Sequence, residues 1–165
     1  MQKSLYLLCP TDHLETIIDH RFGSKNYFYS SLGNAAIFDA DVMLEIKEMI
    51  QKHHIKEVFL VWSNENRIVL DALGNQNFHE IRSLNNLYSG ITQQIKYTVL
   101  LKQSANPEFS MMSYCLKKKV EELQREFNLF FRESIKVRGK IYNKQKNTFH
   151  PIHADLTCVE KYSLN

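Results

Sequence analysis

The chain alternates short, almost uninterrupted apolar runs with segments in which apolar residues recur every three or four positions, the pattern of strands threaded between helices. Leu5-Tyr6-Leu7-Leu8-Cys9, stopped by Pro10, predicts a first strand covered on both faces, as in a parallel sheet. Asp12 is then expected to cap a short helix with Leu14, Ile17, Ile18 and Phe22 on one side and Gly23 at its end. Tyr27-Phe28-Tyr29-Ser30-Ser31 suits a second strand, broken by Gly33-Asn34. From Asp39 or Asp41 as N-cap, a helix should run to His54, with Val42, Ile46, Met49, Ile50 and His53 inward and Glu45, Lys47, Glu48 and Lys52 on the polar side. Val58-Phe59-Leu60-Val61-Trp62 is the most apolar window and predicts the central strand. Asn64 then caps a helix through Ile68, Val69 and Leu73, closed by Gly74-Asn75.

The second half is more helical. Residues 87–102 place Ile91, Ile95, Thr98 and Leu101 on one face, and Asn106-Pro107 reads as a cap with proline in the first turn. Phe109, Met112, Leu116, Val120, Leu123, Phe127 and Phe130 form a long stripe, which either packs across the sheet or joins two copies of the chain. Lys117-Lys118-Lys119, opposite that stripe, reads as a solvated face. Ile135 to Tyr142 alternates strictly, a strand with one wet face, and residues 149–153 suit its hairpin partner. Strand, helix, strand, helix in this order predicts an α/β domain with right-handed crossovers, a central, mostly parallel sheet flanked by helices, and a C-terminal hairpin. With no repeat and no linker, residues 1–165 are read as one domain.

Composition removes several classes of function. Ten Phe and eight Tyr with few Gly or Pro exclude disorder. A net charge of +3 and a pI of 8.7 define no nucleic-acid partner. Apolar runs fall far short of the ~20 residues that span a bilayer, and no long apolar leader follows Met1, so a cytoplasmic protein without a membrane partner is expected. The cysteines, Cys9, Cys115 and Cys158, are odd in number and lack metal-ribbon spacing; the latter two read as inert.

In open α/β sheets, ligands sit beyond the carboxyl ends of the strands. Two segments lie there: Cys9-Pro10-Thr11-Asp12-His13 and Ser63-Asn64-Glu65-Asn66-Arg67. Each adjoins a predicted helix N-terminus, which favours a thiolate or an anion. Cys9 is either a reactive thiol helped by His13 or a buried residue of no chemistry; nothing specifies the oxyanion hole a hydrolase needs. His150 and His153 on a strand point to opposite faces, and His53-His54 ends a helix as a cap.

The order of elements resembles the β-class carbonic anhydrases. That family's first strand ends in Cys-x-Asp-x-Arg, a second in Arg-Asn-Ala-Gly-Asn, a very apolar third in Gly-His-x-x-Cys-Gly, and a late one in His-Gly-x-x-Tyr-Asp. Cys9 stands at the first zinc-ligand position, Gly33-Asn34 at the end of the second motif, and Gly139-Lys140-Ile141-Tyr142-Asn143 at the last. The resemblance places Ser63 at the histidine ligand and Asn66 at the second cysteine ligand, and puts the family's catalytic aspartate and arginine on Thr11 and His13, with Asp12 one position from the aspartate. Only Cys9 remains of three zinc ligands, and hydroxyl and carboxamide donors do not replace thiolate and imidazole. The resemblance therefore implies a homodimer without zinc or carbonate dehydratase activity and with no cofactor. Its former cleft, formed by Cys9, Thr11, Asp12, His13, Ser63, Asn64 and Asn66, would bind a small anion or polar metabolite. Two alternatives are a zinc-dependent lyase whose metal is held by Cys9 with His13 or His20 and a carboxylate, and a protein-interaction module.

Overall fold

The computed structural model describes residues 3–23, 25–96 and 105–152. The elements are β1 (Ser4–Leu8), α1 (Glu15–Phe22), β2 (Asn26–Ser30), α2 (Ala40–His53), β3 (Glu57–Ser63), α3 (Arg67–Leu73), α4 (Asn85–Lys96), α5 (Pro107–Phe130), β4 (Lys136–Asn143) and β5 (Thr148–Pro151). They form a five-stranded sheet in the order β2-β1-β3-β4-β5, parallel except for the β4-β5 hairpin. The apolar window at Val58–Trp62 makes β3 the central strand, as expected.

The two-residue period of the strands sorts their side chains onto two unequal faces. Leu5, Leu7 and Cys9 of the first strand and its end, with Val58, Leu60 and Trp62 of β3, meet α2, α3, α4 and α5 in the larger core. Tyr6, Leu8, Phe59 and Val61 point the other way, where Leu14 and Ile18 of the α1 segment, Phe28 and Phe149 complete a smaller aromatic cluster. Tyr6 stacks on Phe59 at 5.0 Å, and the Lys140 ammonium lies 4.1 Å from the Phe22 ring and 4.4 Å from that of Phe59. Half-burial there lowers the Lys140 pKa.

The stripe along α5 packs across the sheet: Met112, Leu116, Leu123 and Phe127 are buried in the larger core, with Phe109 and Val120 against it. Its last turn alone stays open, with Leu129 86% and Phe130 43% exposed. The stripe as a whole is thus accounted for within one chain. Asn106 caps α5 as expected, its Oδ1 accepting from Phe109 N at 3.1 Å.

Two lysines depart from the expected polar faces. Lys47 is buried, its ammonium 2.7 Å from Glu126 Oε1 and 4.3 Å from the Phe130 ring. Lys119 turns off the solvated face of α5 and donates to the Asn34 carbonyl at 3.3 Å, while Lys117 and Lys118 reach Glu121 at 3.7 Å. Long alkyl stems let a lysine on the flank of a helix bury its length and carry the ammonium to an acceptor, which residue spacing does not reveal. Thr98, Leu101, His153 and Cys158 lie outside the described residues.

Gly33 is fixed by both conformation and space. Its φ is +58°, and a Cβ would come within 2.5 Å of Leu87 Cδ2 and 3.0 Å of Ile68 Cγ2. Left-handed backbone and overpacking each cost about 1–3 kcal/mol. Gly33→Ala is accordingly expected to lower the unfolding free energy by about 2–4 kcal/mol in urea titration.

Candidate functional site

Parallel pairing matches Leu7 with Leu60, and continuing that register brings Cys9 level with Trp62, so the ends of β1 and β3 lie side by side. Two features place the side chains beyond them. After Cys9 the chain makes a short 3-10 turn over Pro10–Asp12, and His13 adopts a left-handed conformation with φ 51°. This turn swings Asp12 away from α1, whose N-cap position is taken by Leu14. Asp12 therefore does not cap α1 as its sequence position suggested; its carboxylate crosses to the β3 end instead.

There Asp12 Oδ2 accepts from Ser63 N at 2.9 Å and from Asn66 Nδ2 at 2.8 Å. Asn66 is fully buried and uses the other end of its amide too, Oδ1 accepting from Val69 N at 2.9 Å as the N-cap of α3. The expected cap, Asn64, sits two residues too early. It belongs to the turn after β4, accepting from Lys144 N at 3.1 Å and donating to Gln145 Oε1 at 2.8 Å. Ser63 is buried and its Oγ accepts from Glu65 N at 3.1 Å, closing the tight bend between β3 and α3.

Cys9 is buried beside this group. Gly33 N donates to its sulfur at 3.1 Å, and Thr11 Oγ1 lies 3.0 Å from it. The following residue, Asn34, is wholly buried and donates from Nδ2 to the Leu7 carbonyl at 3.2 Å. Gly33 and Asn34 are thus members of the site that the residue chemistry at the strand ends did not identify. The sequence signal was the Gly-Asn break itself, a pair suited to the two consecutive positive φ values found here.

The seven residues picked from the sequence separate into two hydrogen-bonded units and two residues that stand apart. Asp12, Ser63 and Asn66 form one hydrogen-bonded unit; Cys9 and Thr11 form a second with Gly33; Asn64 faces the hairpin turn, and His13 is exposed. Among the described residues, no three His, Cys, Asp or Glu side chains gather into a group that could hold a metal ion, so Cys9, His13 and His20 do not come together with a carboxylate as such a set. His20 is exposed on α1.

The same fold is found in known proteins. A β-carbonic anhydrase of Aspergillus fumigatus, CafD, superposes with a TM-score of 0.74 over 93% of this chain and 90% of that one, at 13% identity. The chain has the β-carbonic anhydrase fold. A tetrameric β-carbonic anhydrase of Sordaria macrospora matches with a TM-score of 0.73 at 12% identity, covering 93% of this chain and 81% of that one. A Coccomyxa β-carbonic anhydrase solved with acetazolamide matches with a TM-score of 0.69 at 12% identity, over 99% and 85% of the two chains. No protein-family model and no curated protein sequence matches this chain. In this version of the fold, the ends of β1 and β3 are joined through a carboxylate.

Burial raises the Asp12 pKa, while the hydrogen bonds from Ser63 and Asn66 act in the opposite direction. A carboxyl whose folded pKa exceeds its unfolded one binds its proton more tightly in the native state. Its stabilising contribution is therefore present below the ordinary carboxylate range and lost as pH rises through the raised pKa. Asp12→Asn should remove that pH dependence yet keep an acceptor for both donors, changing stability at neutral pH by under about 1 kcal/mol. Asp12→Ala orphans two donors and should cost about 2–4 kcal/mol in chemical denaturation. Equal losses in the two variants would contradict the bridging role.

Proposed function

We propose that this protein is carbonic-anhydrase-like in fold but holds no zinc at the ends of β1 and β3, and that its cleft there serves to bind a small anion or polar metabolite. The observation that carries the first part is the double commitment of Asn66, whose Oδ1 caps α3 and whose Nδ2 is bound to Asp12. A carboxamide so held has no end to turn toward a metal, and the Ser63 hydroxyl beside it is a poor substitute for imidazole. Cys9 is left as a single thiol donor, already accepting from a backbone N–H. These donors do not fit a zinc site, which needs about three anionic or imidazole ligands with an open fourth position.

Support for the second part is the convergence of Ser63 N and Asn66 Nδ2 on one oxygen of Asp12. Two donors aimed at one oxygen are an anion-binding arrangement, and here the chain supplies its own carboxylate. An external anion would enter by displacing Asp12 on its short turn, past the exposed Thr11 and His13. The reading includes self-association, at least into a homodimer. It is favoured by the tetrameric Sordaria neighbour.

The decisive test measures zinc after purification without added metal, again after equimolar zinc and dialysis, with Cys9→Ser alongside and carbon dioxide hydration assayed in parallel. The expected result is no retained zinc and no hydration above the uncatalysed rate; about one zinc per chain, lost in Cys9→Ser, contradicts the reading. For the anion, acetate is expected to bind Asp12→Ala more tightly than the unaltered protein in calorimetric titration, since truncation frees both donors. Equal affinities would overturn that part. Sedimentation velocity should show a dimer or larger, and a monomer at every concentration tested would count against self-association.

A further inference from the structure

A second polar centre lies away from Asp12, between α4, α5 and the turns before α2. Lys119 lines a cavity of about 230 Å³ there, together with Phe38, Leu87, Ile91, Gln94 and Glu122. Its ammonium carries three donors; the Asn34 carbonyl takes one at 3.3 Å, and the Phe38 ring lies 5.1 Å away. Among the described residues no carboxylate comes within ion-pair distance of it. Gln94 lines the same cavity, and its Oε1 is buried without a hydrogen-bond partner. A half-buried cation short of acceptors and a buried acceptor short of a donor are each unfavourable alone. Their presence in one cavity, whose polar lining is interrupted by the aliphatic Leu87 and Ile91, specifies what would relieve both.

We propose that this cavity binds a small 2-hydroxy monocarboxylate, its carboxylate on the Lys119 ammonium, its hydroxyl donating to Gln94 Oε1 and its alkyl body against Leu87 and Ile91. The volume takes a molecule of a few heavy atoms together with a few waters. Cys115, which also lines the cavity, has its thiol pushed up to about 12 by burial, so that wall contributes packing and no nucleophile. Burial also lowers Lys119 to about 8 against the opposing charge of Glu122, and an anion in direct contact would further favour its charged form. The cavity adjoins the strand ends through Asn34, whose carbonyl receives Lys119, but the proposal uses none of Asp12, Ser63 and Asn66, and failure of either reading leaves the other standing.

The test is calorimetric titration of the full chain with lactate, propionate and lactamide. Lactate should bind saturably, propionate about fivefold more weakly for want of the hydroxyl, and lactamide more weakly for want of the charge. Lys119→Met, of similar length and without the buried charge, should fold at least as stably and weaken lactate by about tenfold or more. Gln94→Leu should bring lactate down to the level of propionate and leave propionate unchanged, which keeps the test decisive if Lys119→Met does not fold. No saturable lactate binding, or lactate affinity unchanged in either variant, overturns the proposal.

Discussion

One carboxylate ties together the two strand ends where this fold concentrates its loops. Asp12 lies beyond β1, yet its oxygen is held by the first N–H past Trp62 and by the side chain that starts α3. Removing it would leave two buried donors without an acceptor, and leaving it unpaired would strand a charge in a low-dielectric setting. The direction of its pKa, raised by burial against two hydrogen bonds, reflects that balance. The turn that delivers it, with His13 left-handed, makes sense only because the carboxylate must reach β3 and cannot serve α1.

The rest of the region is arranged around this bridge. Gly33 approaches Leu87 more closely than any side chain would allow, and its N–H meets the Cys9 sulfur. Asn34 then uses its side chain to hold the Leu7 carbonyl and its own carbonyl to receive Lys119. The strand ends, the turns before α2 and the long helix α5 are thereby linked by polar contacts inside a mostly apolar core, each made to a residue far away in sequence, while the buried Asn34 Oδ1 has no hydrogen-bond partner among the described residues. Such contacts fix one arrangement of the elements more than they add net stability.

Much of the fold was legible because it depends on local pattern. The Val58–Trp62 window gave the central strand, Asn106-Pro107 the start of α5, and the alternation from Ile135 the last parallel strand, since in each the residues facing the core recur at the element's own period. The carboxyl-end location of the site was legible for the same reason: it follows from strand direction. What could not be read was long-range pairing. Asn64 and Asn66 are equally good caps by type, and only the phase of Ile68, Val69 and Ala72 against the core selects the second. Asp12 looked like the cap of the neighbouring helix because its true partners stand more than fifty residues on. Lys47 and Lys119 were assigned to water because a charge pattern carries no information on where a four-carbon stem ends.

On the proposed reading, the Asp12 carboxylate, bound to Ser63 N and the Asn66 amide, stands instead of a metal at the ends of β1 and β3. Crystals grown in excess zinc and measured on both sides of the zinc absorption edge test it most directly. The account predicts no anomalous density beside Cys9, with Asp12 still bound to Ser63 N and the Asn66 amide. An anomalous peak at coordination distance, about 2.3 Å, from the Cys9 sulfur, with Asp12 or Asn66 turned away from its present partners, would contradict it.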